Sequence, residues 1–323
     1  MNSDHLITRQ VEEYIAYKRG LGFKIFIEAA ELRRFARYAR EARHDGPLTA
    51  DLVLGWISLN PTHTRWYKAR RLETVCTFAR YAAIFDPRTE IPRNGIFGGC
   101  HGRRHPCIIS QTEIRLLMHE ARQLLSPDGL RGIAVSTALG LLWSSGLRPS
   151  ELCALLVSDV DLEEGILHIC ETKFSKTRYV PLDAKTRDAL KEYSDFRDSL
   201  YPCSPSGHFF LTTRGTQLTL RKLESAMGLV RRCLSVGSQI GAKQRTPRLY
   251  DLRHSFACMT IRRWLSAGDD INHRLLLLCA YLGHVKPSDT YWYLTGTPEL
   301  FALVCARFEE QAASPILGDA YDD

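Results

Sequence analysis

Apolar residues in the first third of the chain recur at helical spacing. Around residue 35 they fall at i, i+3, i+4 and i+7, which is the pattern of an amphipathic helix: Leu32, Phe35, Ala36 and Ala39. We predict four helices here, at about residues 6–19, at 25–43, in a segment that follows an N-cap at Thr49, and at 64–84. The pattern therefore predicts a helical domain over residues 1–88.

Residues 89–107 have a different character. They are rich in proline, glycine and basic residues and show no apolar period, which is typical of an interdomain linker. The segment also contains four possible zinc ligands, whose spacing fits neither common zinc pattern: Cys100, His101, His105 and Cys107. We predict a linker here and no metal site.

The remainder predicts a mainly α domain over residues 108–312 with a small antiparallel β-sheet, followed by a tail at 313–323. Ser110 and Glu113 form a capping box at its first helix. Residues 165–170 and 178–182 alternate like the two strands of a β-hairpin. Further helices are predicted at about 130–144, 184–197, 219–235, 251–266, 270–282 and 298–312. The fold class is α+β.

Charge is distributed unevenly. Residues 1–105 contain 18 lysines and arginines against 11 acidic residues, whereas residues 106–323 contain 25 of each. A basic domain beside a neutral one indicates a polyanion partner, although solvated helix faces explain any single basic stripe equally well. We predict that duplex DNA is bound by basic side chains of the helices and linker: Arg33, Arg37, Arg40, Arg65, Lys68, Arg71, Arg103 and Arg104.

Composition narrows the cellular setting. The chain has no apolar run of about 18 residues and no apolar signal region at its N-terminus, so we expect no membrane span and no secretion. Its ten cysteines form no CxxC pair, which favours free thiols in a reducing compartment. We expect a cytoplasmic, nucleoid-associated protein.

Five short motifs contain the candidate chemistry. In chain order they are GLRPSEL with Arg148 and Glu151, KFSKTRYVPL with Lys173 and Lys176, YDLRH with Tyr250 and Arg253, LGH with His284, and DTYWYL with Tyr291 and Tyr293. Each motif alone has an ordinary explanation, such as a surface charge or a solvated turn. Their occurrence together within one domain requires a different explanation.

Together the motifs resemble the tyrosine recombinase (phage integrase) family in order and spacing, over residues 106–312. The resemblance implies a helical core-binding domain followed by a catalytic domain. It implies that Arg148 and Arg253 bind the scissile phosphate, that Lys173 protonates the leaving oxygen, and that Glu151 orients Arg148. His284 would hydrogen-bond the phosphate, and Tyr293, nine residues later, would be the nucleophile; Lys176 would contact DNA. The family's usual histidine two residues before LR is here Tyr250, whose neutral hydroxyl would hydrogen-bond the phosphate instead.

The resemblance further implies a reaction and partners. Strands would be cleaved and rejoined through a 3′-phosphotyrosyl bond, without metal, ATP or another cofactor. A tetrameric synapse on DNA would form, with helix 298–312 docking on a neighbouring protomer, and sister recombinases are possible partners because DTYWYL is similar to transposon-borne recombinases. Two alternatives stay open, a non-cleaving DNA-binding relative and a type IB topoisomerase. A metal-dependent nuclease needs clustered carboxylates, which the motifs lack.

Overall fold

The chain forms two compact units, Met1–Arg104 and His105–Asp323. A computed structural model describes residues 5–99, 106–170, 177–202, 206–235 and 246–295, together with positions 301, 302, 305 and 306. Helices dominate both units, and one small antiparallel sheet lies in the second. The predicted fold class is therefore confirmed.

Four helices build the first unit: α1 (Leu6–Gly20), α2 (Phe26–Glu41), α3 (Ala50–Ser58) and α4 (Arg65–Phe85). The Thr49 side chain accepts a hydrogen bond from the Leu52 amide and caps α3 as predicted, and Thr64 caps α4 in the same way. The apolar stripe of α2 is fully buried in the core between the four helices. All four predicted helices are confirmed.

We expected Arg71 to face solvent and contact DNA, but its side chain is buried, so the expected exposure was wrong. Its side chain is 8% exposed, with Nε 3.3 Å from a carboxylate oxygen of Glu31. The guanidinium lies 3.4 Å from the ring centroid of Trp56, as a cation–π pair. Burial lowers the pKa of Arg71, although Glu31 and Tyr67 oppose that change. Helix α4 is packed on two sides and has little solvent-exposed surface. Arg71 directly precedes the buried Leu72 and is therefore buried as well, paired with the buried carboxylate of Glu31.

The other basic residues of this unit are at the surface to different degrees. Arg33 is half exposed but forms a forked pair with Glu12, through Nε at 2.7 Å and Nη2 at 2.8 Å. That pair raises the pKa of Arg33 and lowers the pKa of Glu12. Four further predicted DNA contacts are exposed or half exposed, namely Arg37, Arg40, Arg65 and Lys68. Arg103 and Arg104 lie outside the described residues.

The first part of the predicted linker packs on the helical unit. The Glu90 amide donates to the Leu48 carbonyl at 2.9 Å, and the Glu90 carboxylate accepts from the Ala50 amide at 2.7 Å. Arg65 Nε donates to the Phe97 carbonyl at 2.8 Å. The stretch around residues 90–97 is thus held by the first unit, and the domain boundaries proper stay a prediction.

The second unit begins with three helices and a sheet. These are α5 (Gln111–Arg122), α6 (Leu130–Ser145) and α7 (Pro149–Ala154), then β1 (Val160–Asp161), β2 (Ile166–Ile169) and β3 (Arg178–Pro181). The strands pair antiparallel in the order β1-β2-β3, with Leu167 opposite Val180. The predicted hairpin is confirmed. Strand β1 was missed because two residues are too few to show alternation.

In the part of this unit that the structure describes up to residue 295, five more α-helices follow the sheet: α8 (Ala184–Leu200), α9 (Leu220–Val230), α10 (Leu249–Ala267), α11 (Ile271–Leu282) and α12 (Ser288–Tyr291), with a 3₁₀ turn after them, Trp292–Thr295. The capping box of α5 forms in full, with the Ser110 amide donating to Glu113 at 2.8 Å. The predicted helix 298–312 lies mostly outside the described residues. Among the helices that the structure describes, all are too short or too polar to cross a bilayer.

Candidate active site

The turn between α6 and α7 places Arg148. Helix α6 ends at Ser145, and Gly146 follows with a left-handed φ of 62°. A Cβ on Gly146 would lie 2.4 Å from Cδ1 of Phe256, so both the backbone angle and the packing require glycine. Arg148 then takes the N-cap position of α7 with extended backbone, ahead of Pro149. The helix predicted at about 130–144 is thus confirmed, and it ends at Ser145.

Glu151 anchors two arginines. Its carboxylate accepts from the Arg148 amide at 3.0 Å and from Arg148 Nη1 at 2.5 Å. It also accepts from Arg178 Nη1 at 3.1 Å and Nη2 at 2.7 Å. Burial raises the pKa of Glu151, but the hydrogen bonds and charges of both arginines outweigh it and hold that pKa below its usual value. A buried, ionised Glu151 thus fixes the direction of both guanidinium groups.

Arg178 is a residue that sequence reasoning missed. It was predicted only as the first residue of the strand 178–182, with no role in the site, and its side chain is 12% exposed. Pairing of Arg178 with Ile169 of β2 fixes the position of the Arg178 backbone at the start of β3. From there its Nε donates a hydrogen bond to the Tyr281 carbonyl at 2.8 Å. The available signal was its position in the KFSKTRYVPL motif, at the start of the predicted strand 178–182.

Arg253 is buried in the interior of this unit, with 2% of its surface exposed. Its Nη1 donates to the Gly146 carbonyl at 2.8 Å and its Nη2 to the Leu282 carbonyl at 2.6 Å. Burial lowers the pKa of Arg253, as does the nearby charge of Arg148. Arginine is so strong a base that it is not deprotonated in proteins, so the group stays a cation at pH 7.

Three arginines meet at the carboxyl end of α11. The carbonyls of Tyr281, Leu282 and Gly283 accept in turn from Arg178 Nε, Arg253 Nη2 and Arg148 Nη2. The last carbonyls of a helix have no partner within the helix and carry partial negative charge. The YLG backbone directly before His284 therefore holds three cations.

His284 follows this helix end. One ring nitrogen, Nδ1, lies 2.7 Å from Thr290 Oγ1. Burial lowers the pKa of His284 to about 4, with further lowering by Arg253 and Arg148. The imidazole is thus neutral at pH 7 and has one N–H to donate.

Tyr293 lies against His284, with ring centroids 6.2 Å apart and an interplanar angle of 21°. Only 3% of Tyr293 is exposed. Burial raises the pKa of its hydroxyl, while the adjacent Arg253 lowers it. Tyr291, the other candidate, is 40% exposed at the end of α12. Of the two tyrosines, Tyr293 is the one seated beside an arginine and the histidine.

Comparison with known proteins gives a consistent result. Residues 108–299 match the family model of the phage integrase family. The chain belongs to the phage integrase family. A relative in Sinorhizobium fredii, "Putative integrase/recombinase y4rE", is 34% identical over 92% of this chain and 94% of its own length. The tyrosine recombinase XerC of Herpetosiphon aurantiacus is 28% identical over 97% of each chain.

Solved structures of integrases share the fold. The Tn1549 transposon integrase in complex with transposon right end DNA aligns with a TM-score of 0.64 at 15% identity, covering 94% of this chain and 99% of that one. The XerH recombinase bound to difH substrate in a pre-cleavage complex aligns with a TM-score of 0.61 at 19% identity, over 95% and 84% of the two chains. At these identities the likeness concerns architecture.

Two aromatic residues of α10 lie beside the nucleophile candidate in this integrase. Tyr250 is 46% exposed, and its ring centroid is 6.0 Å from that of His254. His254 in turn lies 5.6 Å from the rings of both Trp292 and Tyr293. Tyr250 and His254 line a cavity of about 480 Å³. His254 was not among the predicted site residues, although it stands next to Arg253 in YDLRH.

The remaining predicted residues and one unpredicted surface complete the description. Lys173 and Lys176 lie outside the described residues.

A cavity of about 630 Å³ at the start of α9 is lined by four cations that the sequence patterns had not singled out: Arg131, Arg214, Arg221 and Lys222. Their positions are separated by up to 91 residues, so linear charge patterning does not reveal them.

Possible metal ligands lie elsewhere in this unit. Among the residues that the structure describes, one group has donor atoms close enough to share an ion, namely Asp159, His168 and Cys170 in the sheet. No metal site had been predicted in this domain. The residues around Tyr293 offer cations and neutral donors, a set suited to an anionic ligand.

Proposed function

We propose that this chain is a site-specific recombinase that cleaves and rejoins DNA strands through a 3′-phosphotyrosyl intermediate, with Tyr293 as the nucleophile. The observation that supports it best is the seat of Tyr293 beside Arg253 and His284, at the helix end that also binds Arg148. A phosphodiester repels nucleophiles, and this arrangement surrounds a tyrosine with groups that attract a phosphate.

Arg148 and Arg253 are proposed to bind the two non-bridging phosphate oxygens. Attack on phosphorus increases the negative charge on those oxygens, so cations fixed in advance stabilise the transition state more than the ground state. Each guanidinium has five N–H donors. Arg253 uses two of its side-chain nitrogens for carbonyls, and Glu151 and Gly283 hold Arg148, so both retain donors for an anion.

Proton transfer is assigned to the other residues. The Tyr293 hydroxyl must lose its proton. Burial raises its pKa above the usual value and the charge of Arg253 offsets this only in part, so the bound state must supply further activation. A neutral His284 would donate a hydrogen bond to a phosphate oxygen, and Tyr250 would donate another. Lys173 would protonate the leaving 5′ oxygen. The phosphotyrosyl bond conserves the energy of the phosphodiester, so rejoining needs neither ATP nor a metal ion.

DNA is the proposed partner of both units. In the first unit the proposed contacts are the exposed Arg37, Arg40 and Arg65 with the half-exposed Lys68, and in the second the basic cavity at α9. The Tn1549 integrase was solved with transposon DNA, and lambda integrase as a dimer on a core site. By analogy we propose action on a mobile element within a tetrameric synapse, with helix 298–312 docking on a neighbour and sister recombinases as further partners.

The test is a covalent adduct on a suicide substrate, a nicked duplex whose short cleaved strand diffuses away. The wild-type protein and Tyr291→Phe should form a protein–DNA adduct, and Tyr293→Phe should form none while binding the same duplex with unchanged affinity. An adduct with Tyr293→Phe that is lost in Tyr291→Phe would move the nucleophile to Tyr291.

Two observations favour a second candidate, a DNA-binding relative that does not cleave DNA. Tyr293 is 3% exposed, and the usual histidine is replaced by Tyr250. Cleavage requires that DNA binding uncovers the Tyr293 hydroxyl, whereas a purely architectural protein has no such need. The absence of any adduct with wild-type protein, at DNA concentrations that saturate binding, would support the second candidate.

A further inference from the structure

Three side chains of different chemistry converge in the small sheet, away from the residues that the proposed reaction uses. His168 and Cys170 are two positions apart, so they share one face at the end of β2. Asp159 directly precedes β1, and the pairing of Val160 with Leu167 brings Asp159 opposite His168. Residues nine and eleven positions apart in the chain are therefore adjacent in space.

Distances between the donor atoms match a single small ion. Cys170 Sγ lies 3.4 Å from His168 Nδ1 and 3.9 Å from Asp159 Oδ1, and one donor atom from each residue lies within 4.8 Å of the others. Around tetrahedral zinc, bond lengths of about 2.3 Å to sulfur and about 2.0–2.2 Å to nitrogen or oxygen give donor separations of about 3.5 Å. Side-chain movements of up to about 1 Å would close this set around an ion.

The surroundings orient two of the ligands. Asp159 Oδ2 accepts from the Leu156 amide at 2.9 Å, which directs Oδ1 toward Cys170. The His168 ring stacks on Tyr179 of β3, with centroids 4.9 Å apart and an interplanar angle of 17°. Cys170 is exposed, so an ion can reach the cluster from solvent.

We propose that Asp159, His168 and Cys170 form a binding site for a thiophilic divalent metal ion of the zinc class. A thiolate and an imidazole select zinc over magnesium or calcium, which prefer oxygen ligands. Three protein ligands leave a fourth position for water. The ion would join the start of β1 to the end of β2, the strand that leads into the segment containing Lys173. This proposal does not depend on the recombinase reaction, since Tyr293 and its neighbours are not ligands.

Cobalt(II) is the probe, because a thiolate bound to cobalt gives a charge-transfer absorption band in the near ultraviolet. Titration of the full-length, reduced protein should give that band with one cobalt per chain, and zinc should displace it. His168→Asn should weaken cobalt binding at least about tenfold, since even the outer partners of metal ligands contribute about 10- to 100-fold. Cys170→Ser should remove the band.

Matched variants test the assignment of the ligands. His119→Asn changes an exposed histidine on α5, and Cys233→Ser changes a half-buried thiol outside the sheet; both should bind cobalt like wild type. Absence of a thiolate band in the wild type would overturn the proposal, leaving Cys170 as a thiol hydrogen-bonded to its neighbours. Loss of the band in Cys233→Ser, with retention in Cys170→Ser, would equally overturn it. Cysteine and histidine at solvent-accessible positions tolerate these changes, and circular dichroism would verify the fold of each variant.

Discussion

Replacement of Arg178 by methionine tests whether this arginine positions the site. The change keeps an unbranched apolar stem but removes two hydrogen bonds to Glu151 and one to the Tyr281 carbonyl. Removing one partner of a buried ion pair costs about 3–5 kcal/mol. Glu151 retains two hydrogen bonds from Arg148, so we expect the lower end, about 3 kcal/mol, in the free energy of unfolding.

Strand cleavage should slow as well. Without Arg178, the Glu151 carboxylate is held from one side, and Arg148 loses its fixed direction. Misplacement of a catalytic group by about 1 Å costs up to about 100-fold in rate. We expect adduct formation on the suicide substrate to slow by about 10- to 100-fold at saturating DNA, with duplex affinity unchanged. Arg178→Lys keeps the charge without the fork and should fall between methionine and wild type.

A double-mutant cycle and a surface control complete the experiment. Arg178→Met combined with Glu151→Gln should show a coupling energy above about 1.5 kcal/mol in urea unfolding. Arg187→Met changes an arginine that is 43% exposed and reaches Asp188 only at 4.0 Å, so its effect should stay below about 0.5 kcal/mol. If Arg178→Met were as mild as Arg187→Met in both stability and cleavage, Arg178 would have no positioning role.

Three further predictions concern packing, protonation and DNA contact. Gly146→Ala should lower the free energy of unfolding by about 2–4 kcal/mol, because its Cβ would lie 2.4 Å from Phe256 at a positive φ. Gly129→Ala also has a positive φ, but its nearest atom is 3.7 Å away, so it should cost about 1 kcal/mol in the same thermal melts. Equal losses would contradict the packing argument. His284 has a folded pKa of about 4 against about 6.5 unfolded, so the unfolded chain binds the proton first as pH falls and stability decreases. We expect a loss of about 1 kcal/mol between pH 7 and pH 5 after solvent screening, absent in His284→Asn; parallel pH profiles for the two proteins would refute it. Arg71→Met should destabilise the first unit in thermal melts without changing the salt dependence of DNA binding. Arg37→Ala should leave stability unchanged and reduce the salt slope, measured by fluorescence anisotropy, by about 0.9 per lost phosphate contact. The opposite pattern would make Arg71 a DNA contact.

Local signals accounted for most of the elements. Capping at Thr49 and Ser110, the glycine that ends α6, and the alternation of β2 and β3 all depend on residues close in sequence. Such interactions can be recognised from spacing alone, so these elements were predicted with small errors at their ends.

Features that depend on distant residues were not predicted. Arg71 needs Glu31 and Trp56 to be buried, and Arg178 needs Glu151 and the end of α11. A basic residue next to an apolar one has the same local pattern whether its partner is water or a buried carboxylate. The family resemblance supplied the order of the site motifs, but it did not indicate which cation each carbonyl or carboxylate would hold.

The carboxyl end of α11 has a consequence for how an anion would enter. Arg148, Arg178 and Arg253 come from α7, β3 and α10, and like charges brought together repel. Three successive carbonyls offset that repulsion within the protein itself, so the cations remain assembled before any DNA arrives. Under the proposed mechanism, a phosphate would then meet guanidinium groups that are already held in place, and the buried Tyr293 and Arg253 would have to become accessible to it. Fraying of this one helix end would remove one hydrogen bond from each of the three arginines at once, leaving them held by Glu151 and the Gly146 carbonyl.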